Sequence, residues 1–183
     1  MLRGELFCYK DPELEAGKHR GSRLLERLNS TGRDEAEARR AILEELLGHI
    51  GADVVIVSPF YCEYGSQITI EDGVFINLNA MLIDVGRIVV RQGAMLGPAV
   101  QLLTATHPLD PEGRVHQALE LGKPITIGEE AWLGGGTIVL PGVTIGDRTT
   151  VGAGSVVTRD LPPDVIAVGN PARVIRKRRD LPG

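Results

Sequence analysis

The sequence predicts a mainly-β chain wound as a parallel β-helix of hexapeptide repeats, with a helical cap at its N-terminus. Three observations carry that reading. Aliphatic residues recur every six positions over most of the chain, small or β-branched residues stand two positions before them, and Gly often follows them. A six-residue period is neither the 3.6 of a helix nor the 2 of a half-buried strand. It marks a solenoid in which each hexapeptide supplies one short strand and one turn, three of them closing a coil of about eighteen residues.

Residues 1–55 are the cap segment. Leu24, Leu25 and Leu28 recur at helical spacing among charged residues, and a second run places Ala38, Ala41, Ile42, Leu46 and Leu47 on one stripe. Asp34 is the expected N-cap of the second helix and Gly48 its stop. Helices this short are marginal alone and need a surface to cover.

Residues 56–172 are the solenoid. Its columns are explicit from about residue 66: Ile70, Ile76 and Leu82, then, after a two-residue slip, Val90, Leu96 and Leu102, then Ile127, Leu133, Val139, Ile145, Val151 and Val157. Ile125, Ala131, Thr137, Val143, Thr149 and Ser155 stand two positions before the last six. Gly97, Gly128, Gly134, Gly146 and Gly152 follow column residues, where a tight corner favours a residue without a Cβ. The competing reading, chance alternation in a β-sandwich, requires six consecutive matches in register by accident.

The segment 107–122 breaks the period. Loops this long in a compact domain usually serve function, and repeat folds carry insertions on a binding face. Leu161-Pro162-Pro163-Asp164 ends the period, and the following segment to Ala172 closes the last coil, whose strand edges would otherwise stand open. Residues 173–183 form a basic C-terminal tail. Within it, Arg178 and Arg179 read as solvated.

Composition narrows the function. The chain has 183 residues, 23 of them Gly, with only 4% aromatic, and this suits a core of small branched side chains in tight coils. A net charge of −4 gives no basic face for nucleic acid. No apolar stretch reaches the ~18 residues of a membrane span, and the N-terminus shows no signal-peptide apolar region. Two cysteines, Cys8 and Cys62, without a CxxC pair, provide neither a disulfide framework nor a zinc site and fit a reducing cytoplasm.

Several segments together carry a resemblance: Tyr64-Gly65-Ser66, Phe75-Ile76-Asn77, Thr104-Ala105-Thr106-His107-Pro108, Glu120-Leu121-Gly122-Lys123-Pro124, Trp132-Leu133-Gly134-Gly135 and Gly169-Asn170-Pro171-Ala172-Arg173. With Gly4-Glu5-Leu6-Phe7, Arg20, Leu24 and Asn29, the chain resembles the maltose and galactoside O-acetyltransferases of the hexapeptide superfamily over nearly its whole length. The resemblance implies a left-handed solenoid. Spacing does not fix the hand, and the general rule for crossovers favours the right-handed one. It also implies acetyl-CoA as co-substrate, a sugar acceptor such as maltose or glucose, a cytoplasmic homotrimer, and active sites between neighbouring solenoids.

His107 stands where the solenoid yields to the loop. A sugar hydroxyl is a poor nucleophile, and an imidazole can take its proton as the oxygen attacks the thioester. The resemblance makes His107 this base, and Pro108 restricts it to extended conformations. It assigns Asn77 to both the acetyl-CoA and acceptor sides, Asp84 and Glu63 to the acceptor, and Gly135 to CoA and the oxyanion. Ala153, Thr158, Arg159, Arg173 and Arg176 are the remaining implied CoA contacts, with the arginines suited to phosphates. Trp132 either walls the CoA channel or packs an interface. Two positions depart from the galactoside pattern: Tyr9 replaces an acidic residue and Lys18 an arginine, so the acceptor is less defined than the donor. No covalent intermediate is expected, because Cys62 reads as a small buried hydrophobe.

Three other functions fit the solenoid. A γ-type carbonic anhydrase needs three histidines around zinc, whereas this chain has His19, His49, His107 and His116, only two of them in or beside the solenoid. A non-catalytic scaffold would not need His107. Xenobiotic and lipo-oligosaccharide acetyltransferases share the architecture, but the N-terminal cap points to the maltose-like branch.

Overall fold

The computed structural model describes residues 1–177. Its short strands stack into three flat faces of a triangular prism, two of five strands and one of seven. The first face contains His49–Ile50, Ile68–Ile70, Ile88–Val90, Ile125–Ile127 and Thr144–Ile145. The second runs from Val55–Ile56 through Phe75–Ile76, Met95–Leu96, Trp132–Leu133 and Thr150–Val151 to Val165–Gly169 and Ala172–Lys177. The third contains Phe60–Cys62, Ala80–Ile83, Gln101–Leu103, Ile138–Val139 and Val156–Val157.

Register turns the six-residue period into columns. Ile50, Ile70, Val90, Ile127 and Ile145 align on the first face. Ile56, Ile76, Leu96, Leu133, Val151 and Ala167 align on the second. Cys62, Leu82, Leu102, Val139 and Val157 align on the third. The smaller residues two positions earlier are buried beneath the corners. Where they are hydroxylic, a corner carbonyl accepts their proton: Thr137 donates to Gly134 O at 2.7 Å and Ser155 to Gly152 O at 2.6 Å. A buried hydroxyl without such a partner would destabilise the fold.

The columns begin earlier than the pattern from residue 66 suggests. His49–Ile50, Val55–Ile56 and Phe60–Cys62 already form a coil, so its first strand lies inside the segment assigned to the cap. The corner glycines also have a different cause. Gly134 lies outside the left-handed backbone region, and a Cβ there would sit 2.6 Å from Ala153 N in the next coil. Coil stacking, rather than backbone freedom, requires glycine at that position.

The cap is two helices, α1 (Pro12–Ser30) and α2 (Ala36–Leu46). Asp11 caps α1 by accepting Glu13 N–H at 2.8 Å, with Pro12 in the first turn. Asp34 does not cap α2. Glu35 holds that position without a side-chain bond, and the chain leaves the helix at Leu47. Nor do Ala38 and Ala41 face the core: the buried stripe of α2 is Arg39, Ile42, Leu43 and Leu46. Arg39 donates to Leu28 O, Thr31 O and Ile56 O, tying both helices to the first coil. Leu24, Leu28, Ile42 and Leu46 join the solenoid columns in one continuous core.

At the far end, Val165–Gly169 continues the second face in parallel and Ala172–Lys177 folds back on it antiparallel. Residues 173–177 therefore form a strand, not a free tail. Arg178 and Arg179 lie outside the described residues.

Candidate active site

The segment 107–122 is an ordered ribbon. Ala105–Thr106 leaves the solenoid and pairs antiparallel with Leu119–Gly122, and Phe7–Cys8 adds a third strand beside Leu119 and Glu120. A one-turn π-helix, Glu112–His116, forms the tip. Asp110 accepts Gly113 N–H at 2.7 Å, and Arg114 donates to the carbonyls of Pro108 and Leu109.

His107 projects from the base of this ribbon. Its Nδ1 lies 2.9 Å from Leu119 O. A carbonyl only accepts, so Nδ1 carries the proton and the Nε2 lone pair is free to receive one. Tyr9 meets the imidazole edge-on, with ring centroids 6.0 Å apart. Lys18 of α1 lies 5.9 Å from the Tyr9 ring centroid. The Lys18 ammonium is 3.1 Å from Glu63 and 3.6 Å from Glu15. Burial lowers its affinity for the proton, but Glu63, Glu15 and Glu120 outweigh that effect and leave its pKa raised. A groove of about 370 Å³ opens beside this pair, lined by Lys18, Ser22, Leu25, Asn29, Tyr61 and Glu63 among others.

Glu120 completes the cluster. Its Oε1 lies 3.7 Å from His107 Nε2, and its side chain is 9% exposed. Burial, then the nearby Glu63, raise the pKa of this carboxyl, against the opposing pull of His107 and Lys18. The sequence placed Glu120 only within a matched motif. Tyr9 and Lys18 were seen only as departures, and nothing in their spacing reveals that they converge on His107.

Asp84 lies beneath the turn that carries Glu63. It is fully buried, with Oδ1 accepting Glu63 N–H at 3.0 Å and Tyr64 N–H at 2.8 Å, and Oδ2 accepting Gln67 N–H at 3.2 Å. Burial raises its pKa despite these bonds. Asp84 therefore holds the turn that presents Glu63. Cys62 stands at the start of the third-face column, where burial, reinforced by Asp84 and Glu63, raises its pKa and keeps the thiol protonated.

The remaining positions fall in separate places. Thr158 and Arg159 are exposed after the third face, at the corner from which His107 also departs. Asn77, Gly135 and Ala153 stack at the next corner, between the second and third faces. Asn77 is half-buried and its Oδ1 accepts Leu78 N–H at 2.8 Å. The Gly135 and Ala153 N–H groups make no backbone hydrogen bond among the described residues. Arg173 and Arg176 are exposed on the last strand. One prism thus carries the base at one corner and the free N–H groups at another. Trp132 faces outward on the second face at 54% exposure, in register with Met95 at 49%. Among the described residues no three His, Cys, Asp or Glu side chains are grouped to hold a metal ion.

Comparisons with known proteins bear on the cap and the solenoid. The maltose acetyltransferase hexapeptide capping motif matches residues 1–51, and the six-repeat bacterial transferase hexapeptide matches residues 124–159. Nodulation protein L of Rhizobium meliloti is 48% identical over 95% of this chain and 94% of its own. The crystal structure of a maltose O-acetyltransferase from Clostridium difficile superposes with a TM-score of 0.94 at 40% identity, covering 96% of this chain and 94% of that one. A galactoside acetyltransferase in complex with coenzyme A gives a TM-score of 0.93 at 35% identity, covering 97% of this chain and 88% of that one. The coils are those of the left-handed β-helix.

Proposed function

The chain belongs to the maltose and galactoside O-acetyltransferase family, an acetyl-CoA-dependent enzyme family, and we propose that it acetylates a hydroxyl of a sugar acceptor by direct attack in a ternary complex. The observation that carries this reading is His107, its Nδ1 proton held by Leu119 O and its Nε2 lone pair left to accept one. Nε2 takes the acceptor proton as the hydroxyl oxygen attacks the thioester carbonyl. The tetrahedral intermediate collapses, the C–S bond breaks, and the CoA thiolate takes the proton from the His107 imidazolium, which restores the base. General-base help of this kind is worth roughly 10²–10⁴ in rate.

The free N–H groups of Gly135 and Ala153 suit the pantetheine amides and the developing oxyanion, and Asn77 lies at the same corner. Arg159, Arg173 and Arg176 supply positive charge for the nucleotide phosphates, with Thr158 next to Arg159. Glu63, Lys18 and Tyr9 form the acceptor side. The groove beside Lys18 and Glu63 offers about 370 Å³ to an acceptor.

Because the base and the free N–H groups occupy different corners, a complete site requires a second chain, and closed threefold symmetry supplies one. The outward stripe of Val55, Met95 and Trp132 gives the assembly an apolar face. No helix among the described residues is long and apolar enough to cross a membrane, in keeping with a cytoplasmic enzyme.

The test is acetyl-CoA turnover, followed as thiol release, with glucose, maltose, galactosides, longer oligosaccharides and amino-alcohols. A sugar should accelerate release well above acceptor-free hydrolysis. If only non-sugar acceptors do so, the acceptor assignment is wrong.

A further inference from the structure

We infer that the cavity between α2 and the first strand of the second face, Val55–Ile56, binds a dianionic phosphoryl group. The cavity measures about 250 Å³ and is lined by Arg33, Arg39, Arg40, Leu43 and Val54 among others. It shares no residue with the groove beside Lys18 and Glu63, so it is a second site rather than an extension of the first. Pockets for drug-sized ligands run from about 300 to 1,000 Å³, and a smaller cavity suits a small anion.

Two of its three arginines carry charge that nothing offsets. Arg39 is only 8% exposed, with one terminal nitrogen donating to Leu28 O and Thr31 O and the other to Ile56 O. Those carbonyls satisfy donors but bring no net negative charge, and the Arg39 Nε–H has no hydrogen-bond partner among the described residues. Arg33 is exposed and donates to Ser58 O at 3.2 Å. Neither Arg33 nor Arg39 forms an ion pair among the described residues. Arg40 differs, because Glu44 holds its Nε at 2.7 Å. Glu35, two residues after Arg33, is turned to Gly32 N–H at 2.8 Å.

A buried charge is costly unless it is paired. Burial, then the like charge of Arg33, lowers the Arg39 pKa, the direction expected of a cation without a counter-charge. A dianion bound by both guanidiniums removes their repulsion and gives each a charge-assisted hydrogen bond. A carboxylate brings one negative charge to two positive ones, and a phosphoryl group brings two. The start of α2 at Ala36, which also lines the cavity and has no side-chain cap, adds to the same positive field. The occupant joins the cap to the first coil, so it stabilises the folded chain in proportion to its concentration.

Isothermal titration and thermal melting test the site. The protein is first saturated with coenzyme A, so that the nucleotide phosphates fill the donor site. It is then titrated with inorganic phosphate, glucose 6-phosphate or acetate at fixed pH and ionic strength. Phosphate should bind once per chain and raise the Tm, and acetate should bind at least about tenfold more weakly. Arg33→Gln removes an exposed side chain; it should weaken phosphate binding at least about tenfold and leave thiol release from acetyl-CoA near wild type. Arg33→Lys keeps the charge and should fall between the two. Tighter binding of glucose 6-phosphate than of phosphate assigns a phosphate ester as the occupant, and equal or weaker binding assigns the free ion; both uphold the site. No saturable phosphate binding to the wild type would overturn the inference, as would wild-type affinity in Arg33→Gln or acetate binding as tightly as phosphate.

Discussion

Asp84 and Glu120 are both buried carboxylates beside Glu63, yet their partners assign them different work. Asp84 satisfies three backbone N–H groups of one turn, whereas Glu120 has one oxygen toward the imidazole and one unpartnered. Replacing Asp84 by Ala leaves those donors unpaired and should cost on the order of 3 kcal/mol. Chemical denaturation should reveal that loss, with the acceptor KM nearly unchanged in the protein that remains folded. A large rise in KM at undiminished stability would return Asp84 to the acceptor side. His107 could be recognised in the sequence because its motif and the break in the repeat coincide. Glu120 could not, because a single Glu in a loop has no periodicity, and its meaning arises only when the ribbon closes.

The coils were legible because one physical demand repeats: an aliphatic side chain must enter the core every six residues. The first coil escaped notice because Pro59, Phe60 and Tyr61 interrupt the monotony of small aliphatics, and because α2 runs directly into it. The cap stripe was misplaced because Ala38 and Ala41 fit helical spacing, whereas Arg39 is buried through its three carbonyl partners, which spacing does not reveal. The corner glycines allow a direct test of coil stacking. Gly134 has a neighbouring coil 2.6 Å from where a Cβ would stand, whereas Gly154, at φ +69, has nothing within 4 Å. Gly134→Ala should cost at least about 2 kcal/mol by overpacking, and Gly154→Ala about 1 kcal/mol through backbone strain. Equal urea midpoints for the two variants would contradict stacking as the reason for glycine at Gly134.

The prism explains why a single chain presents only parts of a site. His107 leaves it at one corner, and Asn77, Gly135 and Ala153 line another, so in the proposed site a neighbouring chain brings them together. Acetyl transfer in the proposed trimer depends on assembly, and subunit mixing tests both at once. His107→Ala and Asn77→Ala proteins should each be nearly inactive in acceptor-dependent thiol release from acetyl-CoA. Unfolded together in equal amounts and refolded as mixed trimers, they should recover about a quarter of wild-type activity, because chance pairs an intact His107 with an intact Asn77 across one interface in four. Full activity of His107→Ala alone, or a mixture as inactive as its components, would contradict a site in which His107 of one chain serves the acetyl group held by the next.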